Sequence, residues 1–440
     1  MTENNGFTTL GIAPKLIDVI DQLKLTSPTP IQAQAIPPGI AGNDVIGIAQ
    51  TGTGKTLAFG IPLIQRLASS GGQALILLPT RELALQVYET LGKFARPLNL
   101  RGAVLIGGAP MNPQIRDLRG NPNVIIATPG RLIDHLQQKT TRLDRISILV
   151  LDEADRMLDM GFAPQIKQIL AEVPSDKQTM LFSATASKEI MQLARSTMKT
   201  PISIEVSPSG TTAENVSQEF FMLRRDEKMR LMETVLGKHA GSTIVFVRTK
   251  HSATRIMKGI RAMGHSAAEI HSNRSLGQRR EALEGFKLGR YRVLVATDIA
   301  ARGLDVKGVA LVINYDIPTQ AEDYVHRIGR TARAGAAGHA ISFVTPEERR
   351  DMRDIERFIR MSIPMSMTPD LPPSRALAPE DPREAPRGFG RSIVRSSRSP
   401  SFASRSPRTS SRSASGASRG GRPPFRSGSR PRSFRSSHAS

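Results

Sequence analysis

The sequence predicts two tandem α/β domains, each a parallel sheet covered by helices on both faces, followed by a disordered basic tail. Three observations carry this reading. Short apolar runs alternate with helix-length stretches from Asp44 to about Ile204, and the same alternation resumes after Asn215. Runs of that kind are expected of parallel strands buried on both faces and joined by helical crossovers. Between the two series a polar, turn-rich patch, SPSGTTAEN (Ser207–Asn215), reads as a linker. Beyond about Thr368, Pro, Ser, Gly and Arg take over, and apolar residues are too sparse to offset the entropy of ordering the chain. The domains so defined are 1–205 and 215–367, joined by 206–214, with the tail at 368–440.

The strands of the first series are VIGIA, ALILLP, AVLIG, VIIAT, ILVLD and MLFSAT; those of the second are QEFFML, TIVFV, AAEI, RVLVAT, ALVIN and HAISFV. The two series share a rhythm without an obvious sequence repeat. After the first strand, Leu57, Ile61, Ile64 and Ala68 recur at helical spacing, and Pro62 predicts a kink in that helix.

Composition bounds the function. A chain of 440 residues, 39% of them hydrophobic, has material for two or three domains. No apolar stretch reaches the length of a membrane span, and MTENNGFTTLG lacks the basic flank and apolar core of a signal peptide. The absence of cysteine excludes disulfides, cysteine metal sites and thiol catalysis, and fits a reducing, cytoplasmic compartment. The net charge of +22 points to a polyanionic partner. More than half of it lies between Ala385 and Ser440, which hold thirteen Arg and no Lys, Asp or Glu.

The first strand runs into AQTGTGKT (Ala49, Gln50, Thr51, Gly52, Thr53, Gly54, Lys55 and Thr56) and then into a helix. Glycines let backbone N–H groups approach phosphates, Lys55 reaches the β- and γ-phosphates, and Thr56 offers its hydroxyl to Mg²⁺. The fifth strand ends in VLDEADRML, with three acids in four residues. Ligands of an open α/β sheet sit beyond the carboxyl ends of its strands. A carboxylate there, Asp152, can hold the magnesium directly or through water, and its neighbour Glu153 can orient a water for attack on the γ-phosphate.

Asp152-Glu153-Ala154-Asp155 spells DEAD, and the chain resembles the DEAD-box ATP-dependent RNA helicases over about residues 7–345. The other segments that carry the resemblance stand in the family's order. They are SPTPIQ (Ser27–Gln32), PTREL (Pro79–Leu83), GG (Gly107–Gly108), TPGR (Thr128–Arg131), SAT (Ser183–Thr185), VFVRT (Val245–Thr249), ATDIAARGLD (Ala296–Asp305) and HRIGRTAR (His326–Arg333). The bacterial RhlE type is the most similar subgroup. The resemblance implies two RecA-like domains, an RNA-dependent ATPase that locally unwinds short RNA duplexes and remodels RNA or RNA–protein complexes, and ATP with Mg²⁺ as its cofactors. It implies no membrane partner, and it suits ribosome assembly, RNA decay or cold adaptation equally.

The resemblance also implies roles. Gln32 reads the adenine edge, with Phe7 as the isolated upstream aromatic. Residues Thr51 to Thr56 bind triphosphate and metal, Asp305 contacts ribose, and Arg330 and Arg333 act as arginine fingers. Ser183 and Thr185 link Asp155 to His326, while Arg81, Gly108, Thr128, Arg131, Thr249 and Thr297 grip the RNA backbone. His135, His239, His251, His265 and His339 read as structural or surface residues.

The chain departs from the family pattern in places. Lys24-Leu25 replaces Gly-aromatic ahead of the glutamine, and leucine cannot stack on adenine as an aromatic ring does. In HSNRSLGQRR (His271–Arg280), Ser272 and Leu276 replace Gly and Gln while Arg279 is retained, and Ala332 replaces a common Gly. The tail, with Phe402, Phe425 and Phe434 among its arginines, can tether RNA without sequence choice. Two other functions fit the same residues: an RNA chaperone or clamp whose tail anneals RNA while ATP times its release, and a DNA helicase. Dependence on 2′-hydroxyls separates the last from the rest.

Overall fold

A computed structural model describes residues 6–50, 52–206, 216–301, 306, 309–331 and 338–373. Thr51, Asp305, Ala332 and Arg333, nearly all of the linker and the tail from 374 onward lie outside the described residues.

Each apolar run forms a strand. The first series gives β1 (Val45–Ile48), β2 (Gln73–Leu77), β3 (Gly102–Leu105), β4 (Val124–Ala127), β5 (Ile146–Leu151) and β6 (Gln178–Ser183). A further strand, β7 (Ile202–Glu205), completes a seven-stranded sheet. The second series gives β8 (Val216–Met222), β9 (Thr243–Val247), β10 (Ala267–Ile270), β11 (Val293–Thr297), β12 (Leu311–Asn314) and β13 (Gly338–Val344), again with one more, β14 (Met365–Ser366). Both extra strands were absent from the sequence reading for a physical reason. They pair on one side only, at the sheet edge, and just one residue of β7 is buried.

The sheet orders are β3-β4-β2-β5-β6-β1-β7 and β10-β11-β9-β12-β13-β8-β14, the same topology twice, with every pairing parallel. The repeat is therefore one of fold, invisible in residue identity. Alternate residues serve opposite faces, as the strand period demands. Ile76, Val150 and Phe182 enter one apolar layer and Leu75, Leu149 and Leu181 the other. The second sheet divides Ile244, Phe246 and Val312 from Val245, Val247 and Ile313 in the same way.

Helix Lys55–Ser70 continues through Pro62, whose ring lies so close to Gly39 of helix Pro30–Ala41 that a Cβ there would come within 2.9 Å of it. Its buried stripe differs from expectation at one position: Ala68 is exposed, and Leu67 takes the core. Because all strands run one way, the carboxyl ends of each sheet gather at a single edge, and that edge positions the site.

Candidate active site

Along the first sheet, the strands β5, β6 and β1 are neighbours, so the acids, SAT and the glycine-rich loop leave the sheet side by side. The loop is built for tight turns: Gly52 has φ 92° and Gly54 φ 94°, a region costly for any side chain. Thr53 Oγ1 donates to Gln50 O at 2.8 Å, and Ala49 N donates to Ser183 O at 2.9 Å, tying the loop to β6. Lys55 opens the following helix and is 6% exposed, its Nζ donating to Ala49 O at 2.9 Å. Thr56 follows it in the first helical turn.

Gln32 is occupied on both sides. Its Oε1 accepts from Thr29 N at 2.9 Å, and its Nε2 donates to Gly54 O at 3.0 Å, bracing the loop's last glycine. Phe7 lies in the apolar cluster that also holds Leu16 and Ile31, only 1% exposed. Leu25 is half-buried against that cluster.

Beyond β5, Asp152 is buried, accepting from Glu153 N at 2.9 Å. Burial pushes its carboxyl up to about 7, Lys55 opposing and Glu153 reinforcing the rise. Glu153 adopts φ 50°, ψ 49°. A non-glycine residue in that left-handed region stores about 1–3 kcal/mol, which is characteristic of functional positions. Its carboxylate accepts from Arg156 Nη1 at 3.2 Å inside the protein.

Asp155 reaches the next strand. Its carboxylate accepts from Ala184 N at 2.8 Å and Thr185 N at 3.1 Å, while Ser183 Oγ donates to Thr185 O at 2.8 Å. Burial pushes this carboxyl up, but Lys55, His326 and hydrogen bonds from Arg156 N and Ser183 together hold it below the usual carboxylate range. His326, on helix Ala321–Ile328 of the second sheet's unit, is thus felt electrostatically at Asp155. The predicted acid and SAT are joined by hydrogen bonds, and the histidine acts on the acid through its charge.

The other half of the edge, β3, β4 and β2, carries a second group. Gly108 has φ 73°, and a Cβ on it would sit 2.1 Å from Arg81 Nη1, so the glycine pair makes room for the guanidinium. Arg131 Nη1 donates to Ala109 O at 3.0 Å, and Thr128 caps β4 through Leu105 O. In the second sheet the equivalent strands β11 and β9 end at Thr297 and lead into Thr249. Thr249 and Thr80 are matching N-caps, each accepting from a backbone N–H three residues on.

Arg330 is 3% exposed. Its neighbour Arg327 was not singled out by the sequence, yet it forms a bidentate pair with Asp298 at 2.6 and 2.7 Å and lies over the Phe246 ring. A second arrangement missed by sequence reading crosses between the sheets' units: Arg279 Nη2 bonds Glu82 Oε2 at 2.9 Å, and Leu276 packs against the first unit's apolar cluster. Its sequence signals are PTREL and the segment His271–Arg280, where Arg279 is retained and a backbone-contact or closure-stabilising role stands in doubt at Ser272 and Leu276.

A DEAD/DEAH box helicase model matches residues 29–193, and a helicase conserved C-terminal domain model matches residues 227–335. The chain belongs to the DEAD-box family of ATP-dependent RNA helicases. It is 42% identical over 381 residues to the ATP-dependent rRNA helicase RRP3 of Debaryomyces hansenii, covering 84% of this chain and 78% of that one. It is also 42% identical over 368 residues to the DEAD-box ATP-dependent RNA helicase CshA of Bacillus subtilis, covering 83% and 74%. Among solved structures, S. cerevisiae Dbp5 bound to RNA and ADP BeF3 matches with a TM-score of 0.76 at 31% identity, covering 83% of this chain and 96% of that one. Mss116 bound to ssRNA and AMP-PNP matches with a TM-score of 0.77 at 26% identity, covering 84% and 80%. The two sheets are thus tandem RecA-like domains of an enzyme that uses ATP and binds RNA. Among the described residues no helix is long and apolar enough to cross a membrane.

Proposed function

We propose that this helicase is an RNA-dependent ATPase that separates short RNA duplexes locally and remodels RNA or RNA–protein complexes, through domains at 1–205 and 215–367 and a tethering tail at 368–440. The observation that carries the reading is the division of a single sheet edge: phosphate-loop and acid residues end β1 and β5, the Arg81, Gly108, Thr128 and Arg131 group ends β2, β3 and β4, and SAT lies among them.

In this reading Lys55 and the N–H groups from Gln50 to Thr56 bind the triphosphate. Magnesium fits the donor set, because Mg²⁺ is usually held by one or two carboxylates together with phosphate oxygens. A buried acid whose carboxyl burial pushes to about 7 gains from a neighbouring cation. Asp152 and Thr56 would hold the ion, which supplies charge neutralisation at the phosphate oxygens. Glu153 orients the attacking water. Arg330 and Arg333 approach the γ-phosphate only on closure, and such an arginine is worth about 10³–10⁵ in rate. Gln32 serves the adenine and, by holding Gly54, reports its presence to the loop; Phe7 supports that segment from beneath, and Asp305 takes the ribose. RNA lying across both domains on Arg81, Gly108, Thr128, Arg131, Thr249 and Thr297 favours closure, so ATP turnover follows RNA. Asp155, Ser183, Thr185 and His326 couple the two events.

Within the family we place the chain in the RhlE type on SPTPIQ and HRIGRT. The relatives named above carry the names CshA and RRP3, so those segments alone support that placement. A cytoplasmic site of action, in RNA decay or ribosome assembly, accompanies it. The stretch from Ala385 to Ser440, rich in Arg and without Asp or Glu, favours a second reading, an ATP-timed RNA chaperone or clamp. Gel-resolved strand separation decides between them. A chain ending at 367 still separates a short duplex with ATP, and fails on a long one, under the first reading. Loss of all strand separation, with annealing lost alongside, establishes the second.

A further inference from the structure

At the opposite end of β3 and β4 from the RNA group lies a cleft of about 390 Å³ between helices Arg81–Ala95 and Met111–Arg119. Three arginines line it, Arg96, Arg101 and Arg116, together with Tyr88 and Asp117. The arginines are exposed, and among the described residues no hydrogen bond or ion pair engages their guanidinium groups. Tyr88 is half-buried, and its ring lies so close to Gly102 that a Cβ there would come within 2.9 Å of it.

We propose that this cleft is a second RNA subsite, which takes the strand as it leaves the grip at Gly108. Continuity supports this: β3 is the edge strand of its sheet, with Gly107–Gly108 just past one end and Arg101 just before the other. Four residues of strand span about 13 Å, a distance that a few nucleotides bridge. The chemistry also fits. Arginine offers forked, charge-assisted bonds to phosphate, and an aromatic face stacks on any base, so the subsite binds without sequence choice. Asp117 is the sole carboxylate among the lining residues, and it leaves an excess of positive charge. The role in the cycle is to hold flanking single strand while the core site opens and closes.

The inference rests on reading Arg81 and Gly108 as RNA contacts, and the test separates the two. The affinity of the full chain is measured for a short single-stranded RNA that fills only the core site and for one several nucleotides longer, across a salt series. The triple variant Arg96→Ala, Arg101→Ala, Arg116→Ala is compared with a charge-matched control, Arg349→Ala, Arg350→Ala, Arg353→Ala, on an exposed face of the second domain. The cleft variant is expected to bind the longer RNA about tenfold more weakly, with a salt slope smaller by about 2 if all three arginines meet phosphates. The short RNA and the control variant remain at wild-type affinity. An equal effect on both lengths, or the same effect in the control, overturns the subsite. No effect on either length also overturns it, and leaves an acidic protein segment as the class of ligand. Arg81→Ala must weaken both lengths; if it weakens neither, the grip reading has failed instead.

Discussion

Glu82 and Arg279 come from different domains, are 12% and 10% exposed, and lie 2.9 Å apart, so their pairing measures closure. At that separation and an effective dielectric of about 20 the Coulomb attraction is about 6 kcal/mol. Desolvating both groups takes back much of this. Arg81 takes back more, since burial first and then Arg81 disfavour the charged form of Arg279. A net coupling of about 1–3 kcal/mol is expected. On the proposed reading, in which RNA lies across both domains and favours closure, Glu82→Gln and Arg279→Gln should each raise the RNA concentration for half-maximal ATPase stimulation by about 5- to 30-fold, corresponding to about 1–2 kcal/mol. The assay is RNA-titrated ATP hydrolysis at saturating ATP, on both single variants and the double variant. The double variant should lose far less than the two singles combined. Losses that add to within about 0.5 kcal/mol refute the reasoning, because the pair would then not be made in the RNA-bound state.

Other expectations follow from single contacts. Gly108→Ala must place a Cβ on Arg81 in a left-handed backbone, and should weaken RNA half-saturation by about tenfold or more, a cost of about 1–2 kcal/mol from the backbone alone; ATP affinity measured without RNA should hold. Arg327→Lys cannot reproduce the bidentate bond to Asp298 or the contact over Phe246, and should lower stability by about 2–4 kcal/mol in a denaturant titration of the second domain's signal. Burial holds the buried His135 and His271 below the ordinary histidine range. The unfolded chain therefore binds more protons than the folded one below about pH 6.5. Their contribution is complete above that pH and is lost as pH falls through the depressed folded values. Thermal midpoints should drop on acidification in that window, and His271→Asn should flatten part of the drop.

Among the described residues, twelve of fourteen strands were legible, because fully buried parallel strands spell themselves as apolar runs. The two missed, β7 and β14, sit at sheet edges where one flank is free and apolar residues are not required. The segments that meet at the sheet edge were legible wherever they are contiguous: the loop from Ala49 to Thr56, Asp152 to Asp155, Ser183 to Thr185. Contacts closed by the fold were not. Gln32 to Gly54 and above all Glu82 to Arg279, nearly two hundred residues apart, depend on which elements are neighbours, and no local pattern records that. Arg327 was passed over because the spelling of HRIGRTAR draws notice to the flanking His326, Arg330 and Arg333.

ATP hydrolysis by the full chain, with and without single-stranded RNA and against DNA of matched sequence, tests the central claim most directly, with Glu153→Gln as control. Stimulation by RNA and not by DNA, abolished in the variant, is the predicted result. Hydrolysis at the same rate with or without RNA would contradict the coupling of the two halves of the sheet edge.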